Sequence, residues 1–90
     1  MPKLHFAKAI QRHVACEPRT VEAANLAEAL AAVFEDVPRL RNYLLDDQGN
    51  FRQHIEVFVD GQAVQKPGNG SATPLAAGSE VYVMQALSGG

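Results

Sequence analysis

The chain has 90 residues, of which 47% are hydrophobic and 20% charged, and its net charge is −2; this is the size and composition of one small globular domain, not of a disordered or fibrous protein. The eight Lys and Arg residues are scattered along the sequence, so we expect no nucleic-acid binding, which needs a concentrated basic face. We also expect no membrane span and no signal peptide, because no apolar run approaches the ~20 residues that cross a bilayer and the N-terminal segment is interrupted by charges.

The first predicted elements are two strands. Residues 3–10 alternate loosely, with Leu4 and Phe6 on one side, which favours a half-buried strand. A turn around Pro18 precedes a second short strand over 19–23, with Val21 facing inward. Together these segments predict an N-terminal hairpin.

The clearest element is a helix that begins after Asn25. Asn25 is a good helix N-cap, and Glu28 can return the hydrogen bond. Apolar residues then recur at helical spacing on one face: Leu26, Leu30, Val33, Phe34 and Val37. Pro38 ends this helix or starts the next one, and Leu40, Leu44 and Leu45 indicate a short second helix.

The C-terminal half predicts three more strands. Residues 54–59 alternate strictly, Asp60-Gly61 is a strong hairpin signal, and 62–64 would be a short return strand. A loop rich in Gly and Pro covers 66–74, and the last strand runs over 80–86. One long helix between the second and third strands would permit these two to pair in parallel.

This order predicts an α+β protein with the β-grasp arrangement of ubiquitin-like proteins, in which a mixed sheet of four to five strands packs on one main helix. We divide the chain into a β-grasp domain over residues 1–86 and a flexible C-terminal diglycine tail over residues 87–90.

The last two residues, Gly89 and Gly90, carry the most information about function. The tail from residue 86 could extend about 14 Å at ~3.5 Å per residue. Glycine has no side chain, so the narrow channel of another protein can close around its backbone. A C-terminal carboxylate is ionised and unreactive at pH 7, so a partner would have to activate it with ATP. The loop 68–71 (GNGS) lacks the Lys and Ser/Thr of a phosphate-binding loop.

Five segments together resemble the small ubiquitin-like sulfur carriers: 25–30 (NLAEAL), 57–61 (VFVDG), 74–75 (PL), 78–83 (GSEVYV) and the final GG. That family includes the small subunit of molybdopterin synthase and the sulfur carriers of thiazole and cysteine synthesis. The segment 41–52 is more similar to the cysteine branch than to the shorter thiazole branch. The tail 85–88 (QALS) lacks the proline common in the molybdopterin and cysteine branches, which leaves the acceptor enzyme open.

The resemblance implies a carrier, not an enzyme, although a role as the small subunit of a synthase is included. A ubiquitin-activating-type enzyme would adenylate Gly90 using ATP, and a sulfurtransferase or cysteine desulfurase would convert it to a thiocarboxylate for a sulfur-acceptor synthase. Gly89 would give access to Gly90, and Leu87 and Ser88 would contact the partner. No cofactor or metal is expected on the domain itself.

Three apolar side chains are expected on the sheet face opposite the helix: Phe58, Tyr82 and Met84. Exposed aromatic residues and methionine often mark protein contacts, so we interpret them as a partner-binding patch. The alternative is partial burial under the loop 66–74.

The remaining candidate residues predict no chemistry of their own. His5, His13 and His54 have no metal-ligand spacing. Cys16 has no evident neighbouring base and is expected to fill the core, and a lone cysteine is typical of the reducing cytoplasm. Asp46 and Asp47 are interpreted as solvated turn residues. Arg39 and Arg41 are helix-surface charges in the simpler interpretation and contacts for an acidic partner in the other.

Two other functions stay open beside the sulfur carrier. One is a ubiquitin-like modifier joined through Gly90 to lysines of other proteins. The other is a ubiquitin-like interaction domain whose tail is inert. Carrier and modifier need the same activated glycine, so the sequence does not separate them.

Overall fold

A five-stranded mixed sheet organises the chain in this computed structural model, which describes residues 1–64 and 73–85. The strands and helices follow in chain order: β1 (Lys3–Phe6), α1 (Lys8–Gln11), β2 (Arg19–Thr20), α2 (Leu26–Asp36), α3 (Pro38–Leu44), β3 (Ile55–Val59), β4 (Gln62–Ala63) and β5 (Glu80–Gln85). None of the helices in these two stretches is long and apolar enough to cross a bilayer.

The strands lie in the order β2-β1-β5-β3-β4, and β1 and β5 form the parallel pair at the centre. The long helix between the second and third strands would permit these two to pair in parallel, but they are not neighbours in the sheet. The crossover through α2 and α3 carries the chain from the edge strand β2 past the position that β5 later fills. The last strand thus gains ladder partners on both sides, parallel to β1 and antiparallel to β3. The predicted mixed β-grasp sheet on one main helix is confirmed.

One face of the sheet and the inner face of α2 form the core. Burial alternates strictly along β3 and β5, so that Val57 and Val83 are buried while their neighbours are not. Helix α2 buries four residues at helical spacing against this face: Leu26, Ala29, Leu30 and Val33. No helix of residues 1–64 and 73–85 packs on the opposite face of the sheet, where Tyr82 and Met84 are exposed, and we call it the open face.

The N-terminal segment differs from its prediction. The strand ends at Phe6, and residues 8–11 form the short helix α1 instead of continuing the strand. Ile10 and Val14 are both buried and stand four residues apart, a helical spacing that points both side chains to the core. The Gln11 amide also donates to the Phe6 carbonyl over 2.8 Å, which stabilises the change of direction. The second strand is likewise shorter than predicted and ends at Thr20.

Local signals explain where α2 and α3 begin. The Asn25 side chain accepts a hydrogen bond from the Glu28 N–H, and Glu28 in turn accepts one from the Ala24 N–H, so both predicted capping residues are used. Pro38 is the first residue of α3, where its missing N–H is harmless. The chain therefore turns between two helices without a long connection.

The Asp60-Gly61 turn joins β3 to β4 as predicted, because Val59 pairs with Gln62 across it. Both turn residues have positive φ, 50° for Asp60 and 84° for Gly61. This is the geometry of the two-residue hairpin turn that matches the twist of its strands.

Candidate functional site

The open face of the sheet carries the three predicted apolar side chains side by side. Phe58 of β3 lies directly opposite Tyr82 of β5, and Met84 follows two residues later on β5. Tyr82 is 43% exposed and Met84 40%, while Phe58 is half-buried. We call these three residues the apolar patch. The structure confirms that they share the face opposite the helix; residues 65–72 of the loop that could cover them lie outside the described residues.

A histidine to which the sequence analysis gave no role borders the patch. His5 of β1 is the register partner of Tyr82, and the two rings stack with centroids 4.3 Å apart. His5 Nε2 also lies 2.6 Å from Glu80 Oε1. The loose alternation of β1 could have placed His5 on this face, but the stacking depends on the parallel pairing with β5.

The Asp60 carboxylate fixes the start of β5. Its Oδ2 accepts from the Ser79 hydroxyl and its Oδ1 from the Glu80 N–H, each over 2.9 Å. Ser79 is buried, and its oxygen accepts in turn from the Ala76 N–H. The sequence indicated Asp60 only as a turn residue. In the structure it also holds the strand that leads to the tail.

The other end of β5 is held by Tyr43 of α3, which also contacts two histidines from other segments. The Tyr43 hydroxyl of α3 donates to the Gln85 side-chain oxygen. The Tyr43 ring stacks on His13, with centroids 5.2 Å apart, and meets the edge of His54 at 5.9 Å. We call Tyr43, Gln85, His13 and His54 the tail-root cluster. Sequence reasoning did not predict it.

The predicted tail, residues 87–90, follows soon after β5 in the sequence. Gln85 is the last residue of β5, and the predicted site residues Leu87, Ser88, Gly89 and Gly90 lie outside the described part of the chain, as does the loop 68–71. What the structure places is the C-terminal end of the central strand β5, between the apolar patch on the open face and the tail-root cluster.

The predicted structural roles of Cys16 and the aspartates agree with their surroundings. Cys16 is buried in the core. Burial raises the pKa of its thiol, and the nearby Arg19 guanidinium opposes part of that shift. A thiol held protonated in this way is a poor nucleophile. Asp46 Oδ1 accepts from the N–H groups of Gln48 and Asn50, as an ordinary turn residue does.

The histidines do not form a metal site. His13 and His54 both contact Tyr43, whereas His5 lies on the open face of the sheet. Among residues 1–64 and 73–85, no group of three His, Cys, Asp or Glu side chains is placed to hold a metal ion. Arg39 and Arg41 are both exposed on α3, as expected for helix-surface charges.

Solved structures from archaea and bacteria share this fold over essentially the whole chain. One chain in the structure of the Amycolatopsis orientalis BexX/CysO complex matches with a TM-score of 0.81 at 15% identity, covering 100% of this chain and 100% of that one. SAMP1 from Haloferax volcanii matches with a TM-score of 0.80 at 23% identity, covering 99% of this chain and 98% of that one. The small archaeal modifier protein 1 from Methanosarcina acetivorans reaches 0.77 at 15% identity, with 99% and 95% covered. At such identities the likeness establishes the fold.

The family follows from the sequence of the chain. No curated protein sequence matches it. The model of the ThiS family, however, matches residues 8–90, which include α1, the main helix, the apolar patch, the tail-root cluster and the final Gly89-Gly90. The sheet order, the single long helix and the strand that runs toward the diglycine agree with that match. The chain therefore belongs to the ThiS family of small ubiquitin-like sulfur carriers.

Proposed function

We propose that this chain carries sulfur as a thiocarboxylate on Gly90 and delivers it to a biosynthetic enzyme. The observation that carries the proposal is the path of β5. This strand is anchored at its start by Asp60 and at its end by Tyr43, and only four residues lie between its last residue, Gln85, and Gly90. A rigid body that ends in a short tail suits a group that must enter the active site of another protein.

The chemistry proceeds in two steps that a partner performs on the tail. The Gly90 carboxylate attacks the α-phosphorus of ATP in the active site of a ubiquitin-activating-type enzyme, which gives an acyl-adenylate and releases pyrophosphate. A sulfur donor then displaces AMP. With hydrosulfide this gives the thiocarboxylate directly. With the persulfide of a sulfurtransferase or cysteine desulfurase it gives an acyl disulfide, which a thiol reduces to the thiocarboxylate.

The apolar patch supplies the contact through which the activating enzyme holds the domain. Its two exposed members, Tyr82 and Met84, lie on the same strand that leads into the tail, so a partner bound there has the tail within reach. Aromatic residues and methionine are enriched in the desolvated centres of interfaces. His5 and Glu80 border the patch with polar groups, which is the usual character of an interface rim.

The sulfur acceptor is a separate enzyme, and the chain is its co-substrate or small subunit. Molybdopterin, thiazole and cysteine synthesis are the pathways that the resemblance suggests. The single cysteine is buried and no disulfide is needed for the core, which supports a place in the reducing cytoplasm.

The second candidate is a protein modifier, because one structural neighbour is described as a small archaeal modifier protein. In that role the Gly90 acyl-adenylate passes to an amine and releases AMP, forming an amide bond to a lysine of another protein. The body of the domain, the activating step and the apolar patch serve both roles equally well. The product on Gly90 separates them.

The test uses the chain with an adenylating enzyme, ATP and a sulfur donor, and it measures the intact mass and the release of pyrophosphate. Gly90→Ala should leave the unfolding temperature unchanged, because terminal residues contribute little to stability. It should strongly reduce pyrophosphate release, because the added methyl group obstructs a channel shaped for glycine. Wild-type rates in Gly90→Ala would contradict the narrow channel, and activity after removal of both glycines would contradict the proposal itself.

A further inference from the structure

An open cleft of about 390 Å³ lies beside the tail-root cluster, between α3 and the segment that follows α1. Its lining on α3 consists of Arg39, Asn42 and Tyr43, and His13 and Val14 close the other side. The three α3 residues stand at i, i+3 and i+4, so they lie along one face of the helix. Arg41 is not part of this lining.

The cleft offers cationic and donor groups without an opposing charge. Arg39 is exposed, and its guanidinium has no ion pair or hydrogen bond to residues 1–64 and 73–85. None of the described lining residues is acidic. Planar guanidinium groups bind carboxylates through paired, charge-assisted hydrogen bonds.

The cleft is connected to the tail by one shared residue. Tyr43 lines the cleft and its hydroxyl donates to Gln85, the residue from which the tail departs. A group bound in the cleft therefore lies next to the root of the tail. The apolar patch lies on the other side of that root, since Met84 immediately precedes Gln85 on β5 and faces the open side of the sheet.

We propose that this cleft receives an acidic side chain of the enzyme that activates the tail, an inference that rests on the proposed function. An enzyme that threads residues 86–90 into its active site must surround the tail root, and it then meets the apolar patch on one side and the Arg39 cleft on the other. Charge complementarity selects a carboxylate for the second contact. The cleft and the patch together orient the domain, so that the tail enters the channel from one direction.

The test compares Arg39→Glu with Arg41→Glu, two charge reversals on exposed positions of the same short helix. Steady-state pyrophosphate release with the adenylating enzyme gives kcat and KM for each variant as substrate. We expect Arg39→Glu to raise KM at least tenfold with kcat unchanged, since the contact is remote from the reacting carboxylate and acts on binding alone. Arg41→Glu should stay within twofold of the wild type. Both variants should unfold at the wild-type temperature, because neither side chain is buried.

Two further readouts show whether the effect is electrostatic. The logarithm of kcat/KM of the wild type should fall with increasing salt, and the slope should be shallower in Arg39→Glu, which has lost an attractive pair. Replacing acidic surface residues of the enzyme one at a time by lysine should yield one variant that restores activity toward Arg39→Glu. A structural role of Arg39 would produce neither result.

The outcomes separate the inference from the proposed function. The assignment of the cleft would be overturned by equal losses in both variants, by no loss in either, or by a loss in kcat alone. If the wild-type chain is still adenylated in that experiment, the carrier function is unaffected. Failure of the wild-type chain itself to be adenylated would overturn the carrier function, and with it the cleft as a contact for the activating enzyme.

Discussion

Adjacent residues of β5 provide the sharpest test of how the sheet divides into a buried face and a partner-binding face. Tyr82 is 43% exposed; its ring stacks on His5, and Phe58 lies opposite it on β3. Replacing it with aspartate removes a ring stack of ~0.5–1.5 kcal/mol and part of the apolar area buried by the ring. We therefore expect the free energy of unfolding to fall by about 1–2 kcal/mol.

Val83 is fully buried, and Val83→Asp should have a different outcome. It loses ~1.5–3 kcal/mol of apolar burial and adds several kcal/mol for a desolvated carboxylate. This loss is comparable with the whole free energy of unfolding of a domain of this size, which is about 5–13 kcal/mol at ~0.05–0.15 kcal/mol per residue. Urea unfolding followed by circular dichroism would show Tyr82→Asp as a folded domain and Val83→Asp as largely unfolded.

The same Tyr82→Asp variant tests the apolar patch as a contact surface. A hydrated carboxylate at the centre of an interface must be desolvated on binding, so affinity for the activating enzyme should fall at least ~10-fold. Isothermal titration calorimetry with the folded variant measures this fall. Unchanged affinity in a variant with intact circular dichroism would show that the patch is not the contact surface, and a folded Val83→Asp would refute the assignment of the faces.

Three further predictions concern the body of the domain. Asn25→Ala removes the side chain that caps α2 and should lower the free energy of unfolding by ~1 kcal/mol in urea titrations; no change would mean that the cap is replaced by water. Gly61→Ala should lower the free energy of unfolding by ~1–2 kcal/mol because φ is 84° at this position, although no atom crowds the added methyl group. The matched control is Gly78→Ala, which should be near neutral because that position has open space and no positive φ. Because burial raises the pKa of Cys16, the unfolded thiol ionises first, so the stability of the wild type relative to Cys16→Ala should fall as the pH rises through the ordinary thiol value of 9.0; a difference that is constant between pH 8 and 10 would contradict the burial argument.

The part of the fold that local patterns encode was predictable. Strict alternation in β3 and β5 assigns Phe58, Tyr82 and Met84 to the open face, and the capping pair at Asn25 and Glu28 marks the start of α2. These signals depend only on neighbours in the sequence, and each has one structural interpretation.

The short helix α1 was missed because four residues give barely one helical turn. Ile10 and Val14 are spaced for a helix, but so short a segment has no recognisable period, and its helical form depends on tertiary packing. The parallel pairing of β1 with β5 was missed for a related reason. Its partners are more than seventy residues apart, and nothing local states which strand fills the centre of the sheet.

The tail-root cluster illustrates the same limit at the candidate site. Its four residues come from the segment after α1, from α3, from the segment before β3 and from the end of β5. Each one alone is an unremarkable polar or aromatic residue. Only the β-grasp topology brings them together around Tyr43, so they could be found only after the strand order was known.

The most direct test of the carrier function is the intact mass of the chain after incubation with the adenylating enzyme, ATP and a sulfur donor. Replacement of one carboxylate oxygen on Gly90 by sulfur adds about 16 Da to the terminal group, and tandem mass spectrometry should place that addition on residue 90. The account would be contradicted if the C-terminus stays an unmodified carboxylate while the same enzyme adenylates a related carrier under the same conditions. Covalent adducts to lysines in place of the thiocarboxylate would identify the chain as a modifier.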